Sequence, residues 1–579
     1  MDTARTDQLR SEVDKDTLMT FTENIAKEIR LSGSEEEYRA FEYAEKQLKS
    51  FGFDTKLYTR KAYISLPIES SLRVNGQSFD SITHSMAVST SETITGEVVY
   101  VGEGTFEDFS KQDTANKIVL IDGLAIPGAV NIAERFHVKA AIFINAEYTH
   151  EMIVSTNWGN PDLSNADEYP SIPVVSVNYQ DGQTIIKEIS DKYTTCELET
   201  KVETKWTDIP TLIADYKGTE DPDSYVLFSG HIDSWHYGVM DNGTANATML
   251  EVARVIGENK EPLYRSLRLA FWSGHSHGRY AGSTIYADEN WEDLYENCVM
   301  HVNIDSVGGK NAVVLSEGNA MAETKDIAGD AIKSVTGETY KSSRYGRSGD
   351  QSFWGMGVPS LLMGLSEQVK SDTPAMKAFS KLFGDGDGGG FGWWWHTTED
   401  TLDKIDPENL ERDCQIYLTI ILNSCNSRIL PLNQQKAIED IEQTVKKYLG
   451  CYPSHPGLQK AIERVSEAKK VIIGLKKYEN GDYELEQEKQ INRMLMRISK
   501  TLVRLNYVNE DQFKHDPALS QNPVPLLADA QKLQDSHTDE ELQVIKTTLL
   551  RKSNKFNFLL KELIEDIKMY EKQIGFEVE

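Results

Sequence analysis

Several things are scarce in this 579-residue chain, and each scarcity excludes something. Cysteine is rare: Cys196, Cys298, Cys414, Cys425 and Cys451 are odd in number, widely scattered and form no CxxC pair. That argues against a disulfide framework and for free thiols in a reducing compartment. Positive charge is outnumbered, with 61 Lys and Arg against 91 Asp and Glu, a formal net charge of −30. So acidic a surface repels phosphate backbones and anionic lipid, which excludes nucleic acid and a membrane surface as expected partners. No apolar run approaches 18 residues, so no segment is read as crossing a membrane. The first residues, MDTARTDQLRSEVDKDT, are polar and contain no apolar signal core, and the expected location is cytoplasmic.

What is present is enough apolar content, 39%, for sizeable cores. At about 150 residues per domain the length allows three or four domains. Residues 15–60 read as helix-rich, within a first segment at 1–68 of the catalytic domain that resumes at 205. Leu18, Phe21, Ile25, Ile29 and Leu31 share helical spacing, and Ser34 with Glu37 reads as a capping box opening a second helix. Residues 69–204 change character, with short apolar runs around 96–101, 117–121, 140–144 and 172–177 and one helix near 129–136. From 205 to 432 strands alternate with helices again. Residues 433–579 are helical and charged and carry no chemistry-bearing cluster.

The stretch that organises the rest is SGHIDSWHYGVMDNGTANATMLEVAR, starting at Ser229. The apolar run Tyr225-Val226-Leu227-Phe228 reads as a buried strand, with His231 and Asp233 at its carboxyl end. Asp241 precedes a helix whose Ala245, Met249, Leu250, Val252 and Ala253 recur at helical spacing. Ligands of open α/β sheets sit outside the carboxyl ends of strands, so an imidazole and two carboxylates here look like part of a metal site. The plainer alternative is a capped helix start beside a turn histidine. Other strands add polar ends: the run 267–272 leads to His275 and His277, the run 299–304 to Asp305, and a glycine-rich stretch at 384–392 to Trp393-Trp394-Trp395-His396. Imidazoles sharing a carboxylate suit two metals roughly 3.5–4 Å apart, with zinc favoured and iron, manganese or cobalt possible.

The segments GHIDSW…DNGTANATMLEVAR, LRLAFWSG…GS, NIDSVGG and HTTEDT resemble the M28 co-catalytic metallopeptidases, in the branch of glutamate carboxypeptidase II and the transferrin receptor. The stretch KIVLIDG…AERFHVKAAIFIN resembles the protease-associated (PA) insert of such peptidases. The resemblance implies a mixed α/β sheet flanked by helices, a β-rich insert, and a C-terminal helical domain that makes a homodimer. It implies metal ligands at His231, Asp241 (bridging), Asp305 and His396, an orienting role for Asp233, and a cis peptide at Asp241–Asn242. One or two divalent ions would be held.

The chain departs from the family pattern twice. A Glu-Glu pair, general base then metal ligand, is replaced by the run Gly274-His275-Ser276-His277-Gly278. Counting back from Gly282-Ser283 sets Ser276 on the base and His277 on the ligand; counting forward from Trp272 sets His275 on the base and Ser276 on the ligand. The backward count needs no gap and makes His277 the ligand, while the imidazole of His275 is the expected proton carrier. The second departure is Trp395, where the family usually has a tyrosine that supports the oxyanion. Asp350 lies in a segment resembling the family's substrate pocket, and Arg344 and Arg347 are candidates for binding a substrate carboxylate. The expected function is a metal-dependent hydrolase acting on an amide or peptide bond of a small molecule or short peptide. A lyase or isomerase on the same scaffold, or a non-catalytic binding protein, is the alternative.

Overall fold

In the computed structural model, residues 3–191, 194–313, 315, 318–373, 377–379, 388–478, 481–535 and 537–574 are described. The central strands run in the order Ser360–Met363, Cys298–Ile304, Asp221–His231, Arg265–Trp272, Thr195–Tyr216. The first four are mutually parallel and the last is antiparallel to its neighbour, giving a mixed sheet. Residues 225–231 and 298–304 are buried throughout, the continuous apolar pattern of strands covered on both faces. Covering is supplied by helices such as Lys15–Ile25, Ala245–Glu258 and Pro407–Asn426, whose apolar faces join one large core.

The insert does not begin at a break in the chain. Strand Asp54–Val74 runs through residue 68 without ending and pairs antiparallel with Thr195–Tyr216 over almost its whole length, with one register shift between Pro67 and Glu69. The expected boundaries at 68/69 and 204/205 therefore fall inside continuous strands. Beyond this ribbon, strands Ile94–Tyr100, Ile118–Asp122, Ala140–Ile144 and Val174–Val177 pair in parallel. Parallel neighbours need crossovers, and helix Pro127–Arg135 supplies one of them. The fully buried runs 118–121 and 140–144 mark this arrangement.

Two local expectations are refined. Ser34 Oγ accepts from Glu37 N–H, but the Glu37 carboxylate reaches back to Gly33 N–H at 2.7 Å rather than to Ser34. The first long helix stops at Ile25, leaving Ile29 40% exposed, because the chain beyond it turns so that Arg30 can be buried against the sheet. The glycine-rich stretch expected at 384–392 lies outside the described residues for 384–387.

Helices Gln434–Cys451, Pro456–Gly474, Leu485–Tyr507 and Asp539–Gln573 form the C-terminal region. It is fastened to the sheet domain by polar contacts. Tyr264 Oη donates to Glu488 at 2.8 Å, and Arg344 donates to Asn506.

Helix Ala245–Glu258 packs closely against the end of the Glu35–Ser50 helix. A Cβ at Gly257 would lie 2.0 Å from the Phe51 carbonyl oxygen, whereas one at Gly474 would meet nothing within 4 Å. Gly257→Ala is expected to lose about 1–3 kcal/mol, while Gly474→Ala stays within about 1 kcal/mol of the parent or gains slightly; urea unfolding of the two variants side by side checks the difference.

Candidate metal centre

Topology does the first part of the assembly. Strands Cys298–Ile304, Asp221–His231 and Arg265–Trp272 are neighbours, so their carboxyl ends present Asp305, His231 and the turn at 275–278 along one edge. Loop 239–244 then brings Asp241 back over this edge, with Gly238 in the left-handed region (φ 51°), where a Cβ would sit 2.3 Å from the Asp241 carbonyl. The Asp241–Asn242 peptide is cis.

His231 Nε2 lies 3.2 Å from Asp241 Oδ1 and 3.6 Å from Asp305 Oδ2. On the other side, His396 Nε2 lies 3.0 Å from Asp241 Oδ2. The Asp241 carboxylate thus faces a different imidazole with each oxygen. Donors 2.0–2.1 Å from a tetrahedral cation stand about 3.3 Å apart, which is the spacing seen here. The ring tautomers agree with this. His231 Nδ1 donates to the Asp233 carbonyl at 2.9 Å and His396 Nδ1 to the Glu151 carbonyl at 2.7 Å, leaving each Nε2 lone pair facing acid. His231 Nε2 is buried and makes no hydrogen bond, so a cation is what completes it. Asp305 spends Oδ1 on Ser306 Oγ at 2.9 Å and turns Oδ2 inward. The residues present therefore fit a divalent ion.

The electrostatics carry the same message. Burial opposes charge on Asp241, yet His231 and His396 outweigh it and hold the carboxyl well below the usual range. Burial likewise opposes a charged His231, but Asp233, Asp241 and Asp305 together raise its proton affinity well above that of free imidazole. A proton on Nε2 here answers the same negative field that a metal ion would.

Segments far from the strand ends hold this geometry. Arg30 is fully buried and donates to four carbonyls, those of Ile232 (2.8 Å), Tyr237 (2.8 Å), Gly238 (3.0 Å) and Glu28 (3.1 Å). Burial pushes its pKa down to about 10, against the pull of Asp400 and Asp233. Ser32 Oγ donates to Asp233 Oδ2 at 2.6 Å. The Asp400 carboxylate accepts from Met240 N–H (2.9 Å) and Asp241 N–H (3.0 Å); burial still pushes it up to about 7. Asn242 joins the loop to the Asp305 strand through Ile304 and Ser306, and Asn246 donates to the carbonyls of His231 and Asn242.

His275 and His277 separate clearly. His277 Nδ1 faces Ser32 Oγ at 2.9 Å, its ring packs on Trp235 with centroids 4.4 Å apart, and burial lowers its pKa to about 4. Among the described residues the one set of three or more donors mutually within 4.8 Å is His231, His275 and Asp305, so His275, not the expected His277, stands at the cluster. Its ring lies face to face with that of His231, centroids 3.6 Å and planes 12° apart. In-plane lone pairs of parallel rings run side by side and do not converge on one ion, so this pose suits a proton carrier rather than a co-ligand of His231. His275 Nδ1 pairs with Asp350 Oδ2 at 2.9 Å, and Asp350 Oδ1 accepts from Ser283 Oγ at 2.9 Å. Asp350 thus orients His275 instead of waiting for substrate. Asp233 anchors the turn, taking the N–H of His275 (3.3 Å) and of Ser276 (2.8 Å).

Arg344 and Arg347 are committed elsewhere. Arg344 bonds Asn506, and Arg347 is buried over the Trp158 ring at 3.8 Å while donating to the Asp516 carbonyl. Trp395 stacks on the His396 ring at 3.5 Å and 18°. His396 has a φ of 59°, unusual outside glycine, and the insert braces it: Glu151 N–H donates to the His396 carbonyl at 2.9 Å, and His150 Nδ1 pairs with the Trp395 carbonyl at 2.6 Å. Nothing in the local sequence of Arg30, His150 or Glu151 points to these roles; only an unusual burial of polar side chains identifies them.

A mixed α/β sheet carrying imidazole and carboxylate donors at adjacent strand ends defines the class as an α/β metal-binding protein with a peptidase-like centre. Residues 211–421, which hold all the cation donors, match the family model described as Peptidase family M28. An aminopeptidase from Aneurinibacillus sp. strain AM-1 has the same fold, with a TM-score of 0.54 and 23% identity over 73% of this chain and 96% of that one. A peptidase M28 precursor from Shewanella amazonensis SB2B gives a TM-score of 0.56 at 19% identity, covering 74% and 98%. In sequence, a probable glutamate carboxypeptidase of Zea mays is 37% identical over 92 residues, 15% of this chain and 13% of that protein. An aminopeptidase of Bacillus subtilis (strain 168) is 24% identical over 365 residues, 61% of this chain and 73% of that protein. The match spans less than a third of the glutamate carboxypeptidase relatives, 22% of the Caenorhabditis elegans homologue for example.

Arg30→Met keeps the length of the side chain and removes its donors. It is expected to weaken divalent-cation binding by about 10–100-fold and to lower the melting temperature, checked by metal titration followed by calorimetry.

Proposed function

We propose that this protein is a metal-dependent hydrolase that cleaves an amide or peptide bond of a small molecule or short peptide. One observation carries the reading: His231 Nε2, buried without a hydrogen bond between the carboxylates of Asp241 and Asp305, with His396 facing the other oxygen of Asp241. Imidazole with carboxylate suits zinc. His231, Asp241 and Asp305 would hold one ion, and Asp241 with His396 offers donors to a second. A bound divalent cation supplies Lewis acidity, polarising a carbonyl and making water acidic enough to attack at neutral pH.

The chain's own proton carrier is His275. Asp350 accepts Nδ1–H and keeps Nε2 as the basic atom. Nε2 takes the proton of the attacking water as the C–O bond forms, then returns it to the departing nitrogen as the C–N bond breaks. Two protein features keep the carrier in place: the Asp233 carboxylate under the turn and the His231 ring against its face. Trp395, flat on His396, fixes the plane of that ring and excludes water from one side.

Assembly as a homodimer belongs to the same proposal. Val544, Leu550, Phe558 and Met569 are exposed on helix Asp539–Gln573 and fall within roughly a third of its circumference at about 3.6 residues per turn. A reducing compartment fits the five free cysteines.

Purified protein loaded with zinc is expected to hydrolyse members of a panel of amino-acid amides and dipeptides. Asp241→Asn should abolish both metal retention and hydrolysis. His275→Ala should lower kcat by about 10²–10⁴-fold with metal content unchanged. Loss of metal in His275→Ala would instead make that residue a ligand, and a metal-loaded native protein inert on the whole panel would overturn the hydrolytic reading.

A further inference from the structure

Behind His275 runs a line of buried polar side chains that ends in the insert. His275 Nδ1 pairs with Asp350 Oδ2 at 2.9 Å, and Asp350 Oδ1 faces Ser283 Oγ at 2.9 Å. Ser283 Oγ lies 2.9 Å from Ser352 Oγ, which in turn lies 2.9 Å from Trp158 Nε1. Asp350, Ser283, Ser352 and Trp158 are each no more than 3% exposed. The line joins the histidine turn and the helix Ala281–Glu289 that follows it to the segment at 350–352 and to the insert.

Its two ends give it a direction. An indole N–H can only donate, and an ionised carboxylate can only accept. Ser352 Oγ therefore receives a hydrogen from Trp158. Its own hydrogen has two acceptors in reach, Ser283 Oγ at 2.9 Å and Thr284 Oγ1 at 3.2 Å, and the nearer is Ser283. The Ser283 hydrogen then goes to Asp350 Oδ1, a shorter contact than the uncharged Tyr280 carbonyl at 3.1 Å and a charge-assisted one. The opposite order would set a lone pair of Ser283 against one of Asp350. Donors aligned head to tail in this way also polarise one another.

Among the described residues Ser283 is the one donor to Asp350 Oδ1. It thus holds the outer oxygen of the carboxylate while the inner one holds His275 Nδ1–H. Without the Ser283 hydroxyl, Oδ1 is buried with no donor, and the carboxylate is gripped at one oxygen only and free to turn away from the ring. The far end is firmly seated. The Arg347 guanidinium lies 3.8 Å from the Trp158 ring centre and is anchored on the Asp516 carbonyl. Tyr280 packs on the indole with centroids 4.3 Å apart, and Gly159 N–H donates to the Arg279 carbonyl at 2.7 Å.

We propose that Ser283 is a positioning residue for the proton carrier His275, acting through Asp350, and that Trp158, supplied by the insert, is the donor that turns the Ser283 hydroxyl toward that carboxylate. This rests on the hydrolytic reading above.

Two variants test it. Ser283→Ala removes the last link, and Trp158→Phe keeps a ring beneath Arg347 while removing the N–H. Each is made in the native chain and in His275→Ala, with zinc content, melting temperature, kcat and KM measured on the best-cleaved amide of the panel. Ser283→Ala is expected to lower kcat about 10–100-fold and Trp158→Phe about 2–10-fold, with KM and zinc content unchanged. In His275→Ala neither should lower kcat further, because the group they act through is gone. Magic-angle-spinning NMR of the zinc-loaded full chain with nitrogen-15 histidine reads the tautomer without turnover, the His275 signals being assigned by their loss in His275→Ala. The native protein should carry the proton on Nδ1, and Ser283→Ala should move part of it to Nε2. Equal losses of kcat in the two backgrounds, native kcat in Ser283→Ala, loss of zinc from it, or an unchanged His275 tautomer would each overturn the role of Ser283. Native kcat and tautomer in Trp158→Phe would overturn the part given to the insert. A zinc-loaded native protein inert on the whole panel removes the hydrolytic reading instead, and the tautomer measurement then decides the hydroxyl line by itself.

Discussion

A single buried carboxylate, Asp241, shared between the Nε2 atoms of His231 and His396, is the constraint on which the rest of the centre depends. Burial alone would drive its proton back on, and the Asp400 carboxyl close by adds repulsion. The arrangement persists only if positive charge, from protons or from metal ions, sits between acids and imidazoles. The surrounding polar framework keeps the distances short while that charge is in place. Asp400 accepts from the successive N–H groups of Met240 and Asp241, Arg30 donates to the loop carbonyls at 232, 237 and 238, and Asn242 and Asn246 join the loop to two strand ends. Each of these is a main-chain contact, so the loop path rather than any single side chain is what they fix.

Within that framework, the role of each histidine is decided by what its Nδ1 does. In His231 and His396 it is tied to a backbone carbonyl, which commits Nε2 to a cation. In His275 it is tied to the Asp350 carboxylate, which fixes the ring and leaves Nε2 free of a protein partner on that side. In His277 it faces a hydroxyl in a dry pocket beside Trp235, and the ring stays neutral and fills space. Chemically identical side chains two residues apart, His275 and His277, are thereby separated into a reactive and a packing role by partners from distant parts of the chain, Asp350 and Ser32.

This explains which parts of the site were legible in the sequence. His231, Asp241 and Asp305 follow apolar runs or open a helix, so strand-end reasoning finds them, and His396 stands out by its aromatic neighbours. The parallel central strands were legible for the same reason, as unbroken apolar segments. The choice between His275 and His277 was not, because counting along the chain carries no information about which way a four-residue turn faces. Arg344 and Arg347 were misassigned because an arginine's charge says nothing of its partner, and here the partners lie some 160 to 170 positions away, at Asn506 and Asp516. Arg30 and Glu151 were invisible for a similar reason: each is a charged residue in an ordinary polar stretch, and only tertiary burial makes it exceptional. The insert's limits were blurred because the alternation of a long strand does not change when it leaves one domain for the next.

That last feature bears on how the centre works. Since strands Asp54–Val74 and Thr195–Tyr216 are hydrogen-bonded along nearly their whole length, the insert is carried on a continuous two-stranded ribbon and not on a flexible linker. Two further ties close the loop 150–155 onto the sheet domain: Glu151 to the His396 turn, and Arg279, just past the histidine turn, to the carbonyls of Ile153 and Ser155. The same short segment thus touches the turn bearing a cation donor and the chain just after the proton carrier. A displacement of the insert would have to move His396, whose left-handed backbone conformation is held largely by those contacts. The insert is therefore part of the wall of the centre, and its position against the turn bearing His396 is set by hydrogen bonds to the main chain rather than by a flexible side-chain contact.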